Sequence, residues 1–398
     1  MASGQYADNG ADGISGFGGH LLAPMGIADS AAAPEANLAG LAALGIEDAE
    51  QLVAIAAIPD IAAELGSALS VTVGDLQRLV DDAAAALPRE RAALVSSPAP
   101  PDRSLGVLMP TDDMIAAAEA TAMEIAAAPP LGLPASVNLI SFMPPIRNQG
   151  SRGTCVAFTC TALNEYILRR RGNAQDLSEQ HLYYETKLID GSPGACGTWQ
   201  AKAVIVLRDR GECREVVWPY NPNPPCNNNG TLPSQARPDA LAYRLATLAV
   251  STRNVQEYKT HMSKQRPVTL SIPVYDSWYR SAETQRSGRI TMRVGNEQAT
   301  GGHAVCLVGY QDQASSPGGG YFIVRNHWST NWASQSPYGA GYGTIPYQYI
   351  TNDAWEAFTA VVPGVGEDGD GDTHEVKTGT QSIVIEVGSN TKITISTD

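Results

Sequence analysis

The stretch "QGSRGTCVAF", Gln149 to Phe158, decides how this chain is read. Cys155 opens the run "CVAFTCTALNEYILRRR", in which Ala157, Phe158, Ala162, Leu163, Tyr166 and Ile167 share one face at helical spacing. A cysteine so placed is either a small core hydrophobe or a nucleophile at a helix N-terminus, where the macrodipole favours thiolate. Gly150 and Gly153 allow the preceding loop to bring backbone amides close. Gln149 offers a side-chain amide to a developing oxyanion, and the Cys155 N–H is the natural second donor. The flanks favour the nucleophile.

A thiol nucleophile needs a base from elsewhere in the chain, and only six histidines exist. His20 and His374 lie in terminal stretches without periodicity, and His181 and His261 sit in polar helical contexts. His303 stands apart: in "TGGHAVCLVGY" two glycines lead into an apolar strand with the histidine at its mouth. The imidazole needs a third group to hold its tautomer and orientation. "GGYFIVRNHWSTNW" supplies Asn326 at the end of another apolar strand, with Trp328 placed to shield the Asn–His hydrogen bond from water. His327, one residue past the asparagine and beside Trp328, reads as a wall or surface residue.

These blocks together resemble the papain family of cysteine peptidases. "PPIRNQGSRGTCVAF" is similar to the family's "PVKNQGxCGSCWAF", and "LSEQHL" (Leu177 to Leu182) to its "LSEQxL". "GHAVCLVGY" and "NHWSTNW…GYGTIPY" follow the family's histidine and asparagine blocks, in the family's order. The family places His and Asn about 130–150 residues after the cysteine. His303 keeps that distance and Asn326 lies beyond it, as insertions would cause. The resemblance implies Cys155 as nucleophile, His303 as general acid and base, Asn326 as orienter and Gln149 as oxyanion donor. It implies substrate contacts at Gly197, Trp199, Gly302 and Trp328, and neither a metal nor an organic cofactor. Arg152 stands at the family's first disulfide cysteine, which leaves Cys196 in "GACGTW" without that mate; Val156 and Ser329 are further departures. Cys213 and Cys226 flank "WPYNPNPP" and are the pair open to a disulfide.

Outside this block the texture changes. Residues 1–36 read as a flexible arm rich in Gly, Ala, Ser and Asp. Residues 37–95 carry Leu, Ile and Val at three- and four-residue spacing punctuated by Gly45, Pro59 and Gly74, which predicts four or five short helices. Their "LAALGIEDAEQL" resembles the repeated unit of helix-hairpin-helix domains. Residues 96–132 combine a Pro-rich linker with a helix from Thr111, its N-cap, to Ala128. After the peptidase-like residues 133–362, an acidic linker and a β-hairpin around Gly388-Ser389-Asn390 complete the chain at 363–398.

Charge sharpens the division. The 398 residues carry a formal −14, and residues 1–134 hold four arginines and no lysine against 18 acidic residues. Such a front end argues against nucleic acid, which is held through Lys and Arg at phosphates. Its sign also suits docking on the basic middle segment. No apolar run reaches the ~18 residues of a membrane span. The N-terminus lacks the basic and apolar regions of a secretory signal, which makes a cytoplasmic setting with reduced cysteines the expectation.

The fold expected is therefore α+β: a helical lobe bearing Cys155, a β-barrel-like lobe bearing His303 and Asn326, and a small all-helical domain ahead of them. The expected function is peptide-bond hydrolysis through a Cys155 thioester, with a peptide or protein as substrate. Alternatives are a transferase or ligase that resolves the thioester with an amine, or a retired peptidase fold serving as scaffold. The helical module and the C-terminal hairpin are the candidate attachments for a protein partner. Residues 111–134 are expected to lie against the cleft, as prosegments do.

Overall fold

A computed structural model describes residues 35–100, 103–116, 132–223, 229–361, 383–387 and 391–395. The expected N-terminal arm up to residue 34, the acidic linker, the 111–128 helix beyond residue 116, and Cys226 lie outside the described residues.

The front of the chain forms five short helices, α1 (Glu35–Ala43), α2 (Ala49–Ala56), α3 (Pro59–Ala68), α4 (Val73–Ala86) and α5 (Arg89–Val95). Their ends follow local chemistry. The Asp48 carboxylate accepts from Gln51 N–H at 2.9 Å and Thr72 Oγ1 from Asp75 N–H at 3.2 Å, each satisfying a donor that the helix leaves unpaired. Gly45 closes α1 at φ +72°, a conformation that side chains rarely adopt. Leu41, Leu52, Ile55, Ile58, Leu65, Leu79 and Val95 close a core that is separate from the larger one.

Val294, from the middle of the chain, completes that small core. The module is thus seated on the β-rich part of the molecule. Met292 N–H donates to Leu44 O at 2.9 Å, and Asn296 N–H to Glu64 Oε2 at 2.8 Å. A buried ion pair joins Arg289 to Asp48, with Glu283 at 3.0 Å as the second acceptor. The opposite charges of front and middle meet here, at named groups.

The remaining residues build one antiparallel sheet in the order β2 (Thr247–Ala249), β7 (Glu356–Ala360), β3 (Val268–Val274), β4 (Gly301–Asp312), β5 (Gly320–Arg325), β6 (Tyr342–Pro346), with β1 (Ser136–Asn138) also paired to β4. Strands β3 and β7 are buried along their whole length, including the polar residues Thr269, Ser271, Glu356 and Thr359 that alternate with their apolar ones. The helix Cys155–Arg170 packs against β4 and β3 and is buried from Cys155 through Leu168, on every side rather than on the one face its periodicity marks. Helices Glu179–Lys187 and Gln200–Asp209 cover it from outside. The C-terminal hairpin forms as β8 (Ile383–Val387) and β9 (Thr391–Ile395), Ile385 opposite Ile393.

Candidate active site

Thr154 is the N-cap of the cysteine helix, and Cys155 is its first residue. The loop ahead is tied down by Tyr220, whose hydroxyl donates to Gln149 O at 2.7 Å and lies 2.7 Å from Thr154 Oγ1. Strand β4 brings His303 to the same place: the amide of the next residue, Ala304, faces the Cys155 sulfur. His303 Nε2 lies 2.9 Å from Asn326 Oδ1. Because Oδ1 can only accept, the hydrogen sits on Nε2 and Nδ1 keeps its lone pair, without a partner. Trp328 stacks on the imidazole at 4.4 Å between ring centroids and 28° between planes. The sequence-predicted Cys155, His303, Asn326 and Trp328 therefore meet around one point.

That point is covered. Residues 103–108, read above as linker, run through it as an extended strap. Gly106 and Val107 N–H both donate to Gly302 O at 3.0 Å, Leu108 N–H to Thr198 O at 3.1 Å, and Thr198 N–H to Gly106 O at 3.0 Å. Upstream, Arg103 Nη1 donates to Trp328 O at 2.7 Å, and the Tyr279 hydroxyl donates to Arg103 O. Gln149 Nε2 donates to Ser104 O at 3.1 Å and to Arg152 O at 2.7 Å. The amide expected to serve an oxyanion thus already holds a carbonyl of the chain itself. The fit leaves no room: a Cβ on Gly106 would lie 2.3 Å from the Gly153 carbonyl, and one on Gly302 2.6 Å from Val107 O.

Burial under the strap sets the protonation states. It pushes the Cys155 thiol up to about 12, against the opposing pull of the amides of Ala304, Gly106, Val156 and Cys155. It also pushes the His303 imidazole down to about 4, the Asn326 hydrogen bond pulling the other way. The thiolate expected from the helix terminus is not present here: desolvation outweighs the dipole, and both groups are neutral.

Of the expected substrate-contact residues, Gly302 bonds the strap through its carbonyl, Trp328 through its own, and Gly197 admits it, since a Cβ there would meet Gly106 O at 2.6 Å. Trp199 instead is the N-cap of the Gln200–Asp209 helix. Thr198, which pairs with Val107 on the strap, went unread in the sequence because a threonine between a glycine and a tryptophan carries no chemical signal. The loop 190–198 is held by a buried Lys187–Asp190 pair at 2.7 Å and by Thr198 Oγ1 on Asp190 at 2.9 Å.

Two cysteine expectations need correction. Cys213 is a free, buried thiol, so it has no bridge to Cys226. Cys196 is disulfide-bonded rather than mateless. Arg152, in the place of a bridging cysteine, donates to Gln180 Oε1 and Asn221 O at 2.7 Å each and lies over the rings of Tyr183 and Tyr220. An ion-dipole and cation–π hub takes over a covalent position. His327 is not a surface residue: it is fully buried, its ring 4.9 Å from that of His303.

A cysteine at a helix N-terminus facing a His–Asn pair on an antiparallel sheet defines the class of papain-like thiol peptidase folds. Residues 134–345, more than half of the chain, match the model of the papain family of cysteine proteases, and the chain belongs to that family. It is 24% identical over 223 residues to an uncharacterized peptidase C1-like protein of Acanthamoeba polyphaga mimivirus, covering 52% of this chain and 65% of that one. It is 29% identical over 196 residues to cysteine proteinase 1 of Entamoeba histolytica (48% and 58%), and 26% over 220 residues to human cathepsin L2 (51% and 59%). The chain thus spans less than two thirds of each of these relatives. Among solved structures, xylellain, a cysteine protease from Xylella fastidiosa, superposes with a TM-score of 0.50 at 24% identity, covering 66% of this chain and 95% of that one.

Proposed function

We propose that this protein hydrolyses peptide bonds through Cys155 and is held latent by its own residues 103–108. The observation that carries the reading is strand β4, which sets the Ala304 amide at the Cys155 sulfur and, one residue earlier, an imidazole held by Asn326 with its Nδ1 unpartnered. With the strap displaced, water reaches the site and the desolvation that keeps thiol and imidazole neutral is relieved. The Cys155 proton then passes to His303 Nδ1, and the sulfur adds to the substrate carbonyl carbon. Gln149 Nε2 and the Cys155 N–H receive the oxyanion. His303 gives its proton to the leaving amine nitrogen, which departs and leaves a thioester. Water then adds as His303 takes its proton, and the proton returns to sulfur as the acid leaves.

Gly302 O and the Thr198 backbone, which now bind the strap, are the groups that an extended peptide substrate would use in its place. The test is turnover of a small fluorogenic peptide by the full-length protein after the strap is unseated, compared with the same protein bearing Cys155→Ala. Equal turnover by the two would refute the assignment.

A further inference from the structure

His327 has no part in the mechanism above, yet it contacts Asn326, Gln149, His303 and the helix that carries the nucleophile. Its backbone N–H donates to Asn326 Oδ1 at 2.9 Å, the same oxygen that receives His303 Nε2. Its backbone carbonyl accepts from Gln149 N–H at 3.0 Å. Its ring lies 4.9 Å from that of His303, and 5.5 Å and 30° from Phe158, on the first turn of the cysteine helix. One residue therefore links the orienting amide, the oxyanion donor, the base and the helix of the nucleophile.

The side chain is an odd choice for a wall. It is fully buried, and neither ring nitrogen has a hydrogen-bond partner. Burying polar atoms unpaired is costly, so packing alone would favour an apolar residue. The titratable and charged groups around it are His303 on β4 and Arg325 on β5, and burial, with these neighbours, holds it far below the usual histidine range. It is therefore uncharged when the catalytic imidazole must carry the proton.

We infer that His327 is a positioning residue: its neutral ring, wedged between Phe158 and His303, holds the catalytic imidazole in line with the Cys155 sulfur. His303 is thus gripped by two successive residues, Trp328 by stacking and His327 from beside it. Asn326 fixes one end of the imidazole by a single hydrogen bond, about which the ring can still pivot; the two aromatic neighbours remove that freedom. This inference rests on the peptidase reading and adds a residue to it.

The experiment uses full-length protein carrying Gly106→Ala to unseat the strap, with His327→Ala or His327→Phe added. Two quantities are read: peptide turnover, and the pH profile of Cys155 alkylation by iodoacetamide, which reports the thiolate–imidazolium pair whether or not peptides are cleaved. With His327→Ala, kcat should fall on the order of 10²-fold, the scale of a misplaced catalytic group, with KM within about threefold. The onset of alkylation should rise by about 1–2 pH units, because a pivoting imidazole no longer stabilises thiolate. With His327→Phe, which keeps a flat ring without ring nitrogens, both quantities should return most of the way. An alkylation profile unmoved by His327→Ala would overturn the inference, as would equal damage in both variants with a matching loss of thermal stability. Absent turnover alongside a shifted alkylation profile would refute the peptidase reading and leave the positioning role standing.

Discussion

Replacing Gly106 by alanine should open the cleft with the loss of not one residue. The added Cβ would lie 2.3 Å from the Gly153 carbonyl carbon and oxygen and 2.7 Å from its Cα, all backbone atoms. Ordinary contact requires more than an ångström of retreat, and the Gly153 side cannot yield, because a Cβ there would itself be within 3.1 Å of Cys196. The strap must move. Besides the side-chain bonds at Arg103 and Ser104, its hold on the cleft floor is the four backbone hydrogen bonds among Gly106, Val107, Leu108, Thr198 and Gly302. At about 1 kcal/mol net for each, full loss amounts to about 4 kcal/mol. Overpacking a tight contact costs about 1–3 kcal/mol, and this is the part that shifts the equilibrium. At 1.4 kcal/mol per tenfold, a middle value corresponds to roughly 30-fold more open cleft. The assay is the rate at which an epoxide thiol trap labels Cys155 in the full-length protein, located by peptide mapping, with hydrolysis of a small peptide alongside. Unchanged labelling, in a variant whose near-ultraviolet circular dichroism shows a native core, would refute the strap as the cause of latency.

Other consequences are equally concrete. In the unseated background Gln149→Ala should lower kcat by roughly 10–10³-fold, the range for losing one oxyanion donor, and Asn326→Ala should leave measurable activity. Arg289→Ala strands the buried Asp48 carboxylate, so chemical denaturation should show a loss of about 3–5 kcal/mol in the transition that includes the helical module. Burial raises Glu179 to about 8. Folding then retains a proton that the unfolded chain has released above about 4.5, so this group's stability is full at acid pH and is lost as pH rises to 8. Burial lowers His181 and His303 to about 4, which acts in the opposite sense but only below the ordinary 6.5. Thermal unfolding between pH 6.5 and 8 should therefore lose up to about 1.4 kcal/mol per pH unit from Glu179, and Glu179→Gln should reduce the slope of that limb, with other buried carboxylates such as Glu212 raised in the same sense. Non-reducing peptide mapping should find Cys196 in a disulfide and Cys213 as a free thiol.

Much of the molecule was legible in the residues themselves. The cysteine at the head of an apolar helix, the histidine at the mouth of an apolar strand and the asparagine at the end of another each carry a local signal. A reactive group among apolar neighbours is conspicuous in one dimension. The five helices of the module announced themselves through Leu and Ile spacing and the punctuation of Gly45 and Pro59. The strap did not. "RSLGVL" has no period and no motif, and its structure is borrowed from Gly302 and Thr198, residues far away in the chain. The same holds for protonation: the sequence places Cys155 where a dipole favours thiolate, but only the strap lying over it decides that desolvation wins. His327 looked like wall because sequence shows its neighbours at 326 and 328, not the rings of Phe158 and His303 that enclose it. The residues alone determined which groups can do chemistry, since that is a property of side chains and their local helix or strand. Tertiary structure decided whether they do it now, because access, solvation and charge state depend on which distant backbone fills the space above the sulfur.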